Sequence, residues 1–166
     1  IEKALDSEYA ISKLNGEKNV LKSFNKAIIL RPSIVYSVDD NFSTTFMTLL
    51  NRLPIFPLYY NGQTKFTPIH CSDLTDVILN IIKKNIDSKI VECVGPEVLS
   101  FKEILSILLN SIGKKRFFLP FPLFVAKITA KIFELMPNPL LTADQLRLLK
   151  YDNVVSNSYA SNASIG

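Results

Sequence analysis

Two short apolar runs constrain this chain most. Ala27-Ile28-Ile29-Leu30-Arg31 stops at Pro32, and Ile90-Val91-Glu92-Cys93-Val94 stops at Gly95-Pro96. Short, largely apolar runs of this length suit strands buried on both faces, which is the habit of parallel sheets covered by helices. Helix signals alternate with them. Ser100-Phe101-Lys102-Glu103 is a capping box with Leu99 and Ile104 as its staple, opening a helix that Gly113 closes. Thr142-Ala143-Asp144-Gln145 repeats the device after Pro137 and Pro139, with Leu141 and Leu146 as staple. Further helices are expected over Phe42 to Arg52, over Asp73 to Asn85 with a cap near Ser72, and over Leu123 to Met136 with Lys127, Lys131 and Glu134 on one face. Asn61-Gly62, between Leu58-Tyr59-Tyr60 and Lys65-Phe66-Thr67, predicts a hairpin turn. The polar tail from Ser156 to Gly166 is expected to fray or to have been cut. Interleaved helices and strands make the fold class α/β.

Composition narrows the function classes. At 166 residues, 48% hydrophobic and 20% charged, the chain suits one compact domain. Nineteen Lys and Arg against 15 Asp and Glu leave +4, too slight for a nucleic-acid footprint, so no nucleic-acid partner is expected. The longest apolar stretch, Phe117 to Ala126, is broken by Pro120 and Pro122 and is half of the roughly 20 residues a bilayer span requires. Two cysteines, Cys71 and Cys93, do not make a disulfide scaffold and point to a reducing compartment. The chain opens on Ile1 without the basic and apolar regions of a signal peptide, so the natural start is expected upstream. Its glycines, at 16, 62, 95, 113 and 166, cannot form a phosphate-cradling G-x-G-x-x-G.

Chemistry concentrates near the start. Tyr9-Ala10-Ile11-Ser12-Lys13 falls in a helix running from Asp6 or Ser7 to about Leu21. At i, i+4 the Tyr9 hydroxyl and Lys13 ammonium share a face, and a cation beside a phenol favours the phenolate that acid/base work needs. An ordinary exposed helix face has the same spacing. Gly16, one turn on, predicts close approach of another backbone.

The segments downstream of this pair carry a family resemblance. Tyr9-Ala10-x-Ser12-Lys13, Gly16-Glu17 and a strand ending Ile29-Leu30-Arg31-Pro32-Ser33-Ile34-Val35-Tyr36 resemble the second half of an extended short-chain dehydrogenase/reductase, the NAD-dependent epimerase/dehydratase type. Phe66-Thr67-Pro68-Ile69-His70-Cys71-Ser72-Asp73-Leu74 and Val94-Gly95-Pro96-Glu97-Val98-Leu99-Ser100-Phe101-Lys102-Glu103 are similar to later elements of that family. Pro139-Leu140-Leu141-Thr142-x-Asp144-Gln145-x-x-Leu148-Leu149-x-x-Asp152-Asn153-Val154-Val155 resembles the branch of Rossmann-type accessory subunits of respiratory complex I and their bacterial relatives. The resemblance implies the C-terminal half of a Rossmann-type, NAD(P)-binding fold with interleaved elements of a smaller substrate domain. Residues 1–40 and 88–95 would lie on the sheet side, and 41–87 and 96–155 on the substrate side.

The same resemblance implies NAD or NADP as cofactor, Tyr9 as catalytic acid/base and Lys13 on the nicotinamide ribose. Pro32, Ser33 and Ile34 would line the nicotinamide side. The glycine-rich turn and the usual Ser/Thr partner of the tyrosine would precede Ile1, so residues 1–166 alone are expected to bind the cofactor weakly or not at all and to need the N-terminal half as partner. Three roles stay open: an oxidoreductase or epimerase, a cofactor-stabilised accessory subunit docked on a respiratory complex or membrane surface, and a peripheral lipid-surface binding module without bound nucleotide. The implied location is cytoplasmic or peripheral on the inner face of a membrane, the matrix side in a mitochondrion.

Two clusters have plainer readings beside sharper ones. His70 and Cys71 with Asp73 and Cys93 lack metal-ligand spacing and suit packing and helix capping, and the family resemblance, which places this strand beside the substrate region, implies that His70 can also face a substrate pocket. Lys114-Lys115-Arg116 before Phe117-Phe118-Leu119 either complements the end of the preceding helix while the aromatics enter the core, or meets a membrane or partner with Phe117, Phe118, Phe121 and Phe124.

Overall fold

The computed structural model describes residues 2–84, 86, 88–122 and 142–165. The helix expected over Leu123 to Met136 lies outside them, as do Phe124 and Leu141.

The apolar runs form a parallel sheet. Strand β1 (Ile29–Pro32) pairs with β6 (Ile90–Cys93) in the register Ile29 to Ile90 through Pro32 to Cys93, and β6 pairs on its other side with β9 (Ala160–Ser161), also parallel. Before β1 comes helix α1 (Glu8–Ser23). After it, a short β2 (Val35–Tyr36) pairs in parallel with β5 (Ile69–His70). Helix α3 (Cys71–Lys84), within the 41–87 stretch expected on the substrate side, buries Val77 and Ile81 in one core with Ile69, Val91 and Cys93.

A second core lies between α2 (Asn41–Arg52) and α4 (Phe101–Ser111), where Leu50, Phe101, Leu105 and Leu109 close on Phe56 and Leu58 of β3 (Ile55–Leu58). Both helices start where carboxylates and hydroxyls predict. Asp40 caps α2 through the Ser43 N–H, and Ser100 with Glu103 completes the capping box of α4. Gly113 ends α4 at φ +64°, a left-handed conformation that glycine adopts without strain.

Three expectations are corrected. The chain does turn at Asn61-Gly62, with Tyr60, Asn61 and Gly62 all at positive φ, but no hairpin forms. β3 pairs in parallel with β8 (Phe117–Pro120), and β4 (Lys65–Phe66) pairs antiparallel with β7 (Leu99–Ser100). The second arm makes its contacts elsewhere: Phe101 N–H donates to Thr64 O, and Asp152 Oδ1 accepts from Lys65 N–H. The described tail residues are tied down, because β9 pairs in parallel with β6 and Asn162 both accepts from Val94 N–H and donates to Val94 O. Gly16 has open space around it, not a second backbone.

A helix over Ala143–Leu148, here α5, opens with the Thr142/Gln145 capping box, and a last turn, α6, covers Asn162–Ile165.

Candidate functional site

Helix α1 is built to hold its first turn. Ser7 is the N-cap, its Oγ accepting from Ala10 N–H, while Asp144 of α5 accepts from the N–H groups of Glu8 and Tyr9. Tyr9 and Lys13 then project from one face, the Lys13 ammonium 5.4 Å from the centre of the Tyr9 ring. At that distance the cation interacts with the ring's electron-rich face. Tyr9 is 51% exposed and Lys13 is exposed as well. Apart from this mutual contact, neither side chain has a hydrogen-bond or ion-pair partner among the described residues.

Two turns along α1, Glu17 locks the helix to the sheet. Arg31 of β1 donates from Nε to Glu17 Oε1 at 2.9 Å and from Nη2 to Glu17 Oε2 at 2.7 Å, a two-pronged pairing shielded from water on both sides. Glu2 accepts from Arg31 as well, and Tyr159 donates to Glu2 while its ring lies 4.8 Å from the guanidinium. The hydrogen bond from Tyr159 and the charge of Arg31 hold the Glu2 carboxyl below its usual range. These contacts fix α1 against the strand that leads into Pro32-Ser33-Ile34.

At the end of β1 the three predicted residues part company. Pro32 is exposed, and Ile34 is half-buried in the wall of a cavity of about 360 Å³ that Tyr36, Phe42, Pro68 and Pro96 also line. Ser33 turns inward: its buried hydroxyl donates to Asn153 O and accepts from Thr67 N–H. Among the described residues, no hydrogen bond or ion pair joins Tyr9 or Lys13 to residues 32–34. A larger hollow of about 610 Å³, bounded by Gln63, Lys65, Lys102 and Ser106, contains none of the predicted site residues.

His70 is a packing and capping residue. Its Nδ1 accepts from Ser72 N–H at the start of α3, and its ring meets Tyr36 edge-on at 5.2 Å. Arg116 caps a helix too, but not the one before it: Nε and Nη2 donate to Leu50 O and Asn51 O at the end of α2. Sequence reading did not foresee Asp144 as a cap for α1, nor Arg31 with Glu17. Asp144 stood in the Thr142-x-Asp144-Gln145 motif, yet nothing local couples it to residues 7–9.

Compared with known proteins, residues 4–116, well over half of the chain, match the profile described as the RmlD substrate binding domain. The chain belongs to this family. Among curated proteins, this RmlD-type chain is 31% identical over 105 residues to the mitochondrial NADH dehydrogenase (ubiquinone) 1 alpha subcomplex subunit 9 of Dictyostelium discoideum, covering 63% of this chain and 29% of that protein. It is 27% identical over 158 residues to the subunit of the same name from Arabidopsis thaliana, covering 89% of this chain and 39% of that one. The chain thus spans well under half the length of these relatives. Among solved structures it is similar to a dTDP-4-dehydrorhamnose reductase from Clostridium acetobutylicum, with TM-score 0.59, 20% identity, and 86% of this chain and 54% of that one covered. It is also similar to a UDP-glucuronic acid 4-epimerase from Bacillus cereus in complex with UDP-glucuronic acid and NAD, with TM-score 0.52, 23% identity, and 95% and 52% covered. These likenesses show the fold: the RmlD-type chain is α/β and Rossmann-like, and its parallel β1-β6-β9 sheet is consistent with that.

Proposed function

We propose that this chain is the Tyr-Lys-bearing part of a nicotinamide-nucleotide-binding, short-chain dehydrogenase/reductase-like protein that serves as an accessory subunit of a respiratory NADH dehydrogenase complex. The observation that carries the reading is the exposed Tyr9-Lys13 pair on α1, held to the end of the parallel sheet by Arg31 and Glu17. In open α/β sheets ligands lie at the carboxyl ends of the strands, where Pro32 and Ile34 stand. The NADH dehydrogenase subunits among its relatives support the complex as partner.

The donor set suits a nicotinamide ribose: an exposed ammonium, and a phenol whose oxygen has no hydrogen-bond partner among the described residues. When bound, the nucleotide supplies hydride chemistry. Lys13 donates to ribose hydroxyls, Tyr9 holds or delivers the proton, and Pro32 and Ile34 shape the nicotinamide side. Ser33 contributes through its place in the turn, since its hydroxyl is already engaged.

Tyr9→Phe and Lys13→Ala in the full-length protein separate the roles. With cofactor binding by calorimetry, a carbonyl-substrate screen and assembly of the complex as readouts, an enzyme loses about 10²–10⁴-fold in turnover with Tyr9→Phe at unchanged cofactor affinity. An accessory subunit tolerates Tyr9→Phe, while Lys13→Ala weakens cofactor binding and, through linkage, stability and assembly. Silence of both variants in all three assays defeats the reading.

A second reading concerns the β3-β8 ribbon. Its inward residues, Phe56 and Phe118, pack on the second core, but Ile55, Phe117 and Leu119 are 53%, 82% and 52% exposed, and Ile55 lies opposite Phe117. Residues 41–58 and 110–122, which build this face, contain Arg52, Lys114, Lys115 and Arg116 and no carboxylate. Exposed apolar side chains beside cations that form no ion pair among the described residues suit the surface of an anionic bilayer.

A further inference from the structure

An α-helix leaves its first four N–H groups without intrahelical partners. In α1 all four are met, and two of them from far along the chain. Ser7 N–H donates to Ala4 O at 3.0 Å, and Ala10 N–H donates to Ser7 Oγ at 3.2 Å. Glu8 N–H donates to Asp144 Oδ1 at 2.9 Å and Tyr9 N–H to Asp144 Oδ2 at 3.1 Å. The Ser7 hydroxyl, fully buried, donates its own proton to Asp144 Oδ2 at 2.8 Å. Asp144 also lies in the first turn of α5, so the positive ends of two helices meet on one carboxylate.

The neighbourhood extends the clasp. Tyr151 donates its phenolic proton to Asp6 Oδ1 at 2.9 Å, and the Lys150 ammonium lies 3.8 Å from Asp6 Oδ2. Residues 142–151 therefore hold residues 6–9. Partial desolvation works against the Asp144 charge, but the Ser7 hydroxyl and the N–H groups of Tyr9 and Glu8 outweigh it, and the carboxyl titrates below its usual range.

Tyr9 is the second residue of α1, within the turn that frays first, whereas Lys13 is a full turn deeper. Loss of the Asp144 contacts would free the Tyr9 backbone and let its ring leave Lys13, while Lys13 kept its place. We propose that Asp144 is the positioning residue for Tyr9: from 135 positions away it fixes the turn that aims the phenol, and so couples the C-terminal segment to the nucleotide site. This rests on the proposed role of Tyr9 and Lys13, and by linkage the coupling is reciprocal, with bound nucleotide strengthening the clasp.

The test uses the full-length protein with Asp144→Ala, Asp144→Asn and, as a control, Ser100→Ala, which removes a comparable cap from α4. Amide exchange is followed residue by residue without nucleotide, and NADH affinity is measured in parallel. Asp144→Ala is expected to speed exchange at Glu8, Tyr9 and Ala10 about tenfold, leaving amides beyond Lys13 unchanged. It should also weaken NADH several-fold, with Asp144→Asn intermediate because one acceptor oxygen remains. Ser100→Ala should lower thermal stability without either change. Unaltered exchange at residues 8–10 in Asp144→Ala overturns the proposal, as does a Ser100→Ala variant that weakens NADH equally. Wild-type protein that binds neither NADH nor NADPH overturns the cofactor reading instead, and the exchange data alone then decide whether Asp144 holds the turn.

Discussion

Burial pushes the Cys93 thiol up to about 11, because β6 places it in the first core, out of water. Cys71 begins α3 and is exposed. The thiolate is the reactive form, so iodoacetamide at neutral pH should label Cys71 in the native protein and reach Cys93 only after denaturation, as read by peptide mass spectrometry. Equal labelling of both in the native state would mean that this core opens. At this scale the sequence was legible wherever a side chain acts on its neighbours. The Ser100 and Thr142 capping boxes and the pairing of Tyr9 with Lys13 are local patterns, and each is present. Ser33 was not legible as an internal brace, because Thr67 and Asn153, its partners, come 34 and 120 positions later.

Gly95 shows what sets the spacing of elements. A Cβ placed there would sit 1.7 Å from Pro68 O, so the loop after β6 and the one before β5 approach more closely than any side chain permits. Its N–H donates to Thr67 O at 3.0 Å across the same gap. Gly95→Ala should therefore cost about 3 kcal/mol or more, seen as a lower urea midpoint at unchanged slope, and a loss within experimental error would show that the two loops can separate freely. The sequence disclosed Gly95 as a strand stop but not the backbone facing it. Element types were read well from periodicity and caps, and pairings less so. Asn61-Gly62 dictates a turn, yet nothing within a few residues dictates that β3 seeks β8 and β4 seeks β7.

For the molecule as a whole, the β3-β8 face makes a prediction of its own. The full-length protein should float with vesicles of phosphatidylcholine and phosphatidylglycerol and not with phosphatidylcholine alone, and salt should weaken the binding. Phe117→Ser should reduce it about tenfold, and Lys115→Glu should act similarly. Binding unaffected by both substitutions would assign the contact to another surface, and a dimer that dissociates with Phe117→Ser would assign this one to a second copy. The α/β class and parallel sheet were legible from two apolar runs, whereas the closing of the sheet by residues 160–161 was hidden in a polar tail. That late strand has a kinetic corollary. During translation β6 would leave the ribosome with one edge bare, and its partner would emerge only after about seventy more residues, at synthesis rates of order 5–20 residues per second. For those seconds the nascent chain presents an unpaired parallel edge, the form most open to pairing with another chain, so production in cells should depend on chaperones that shield such edges more than the stability of the finished fold would suggest.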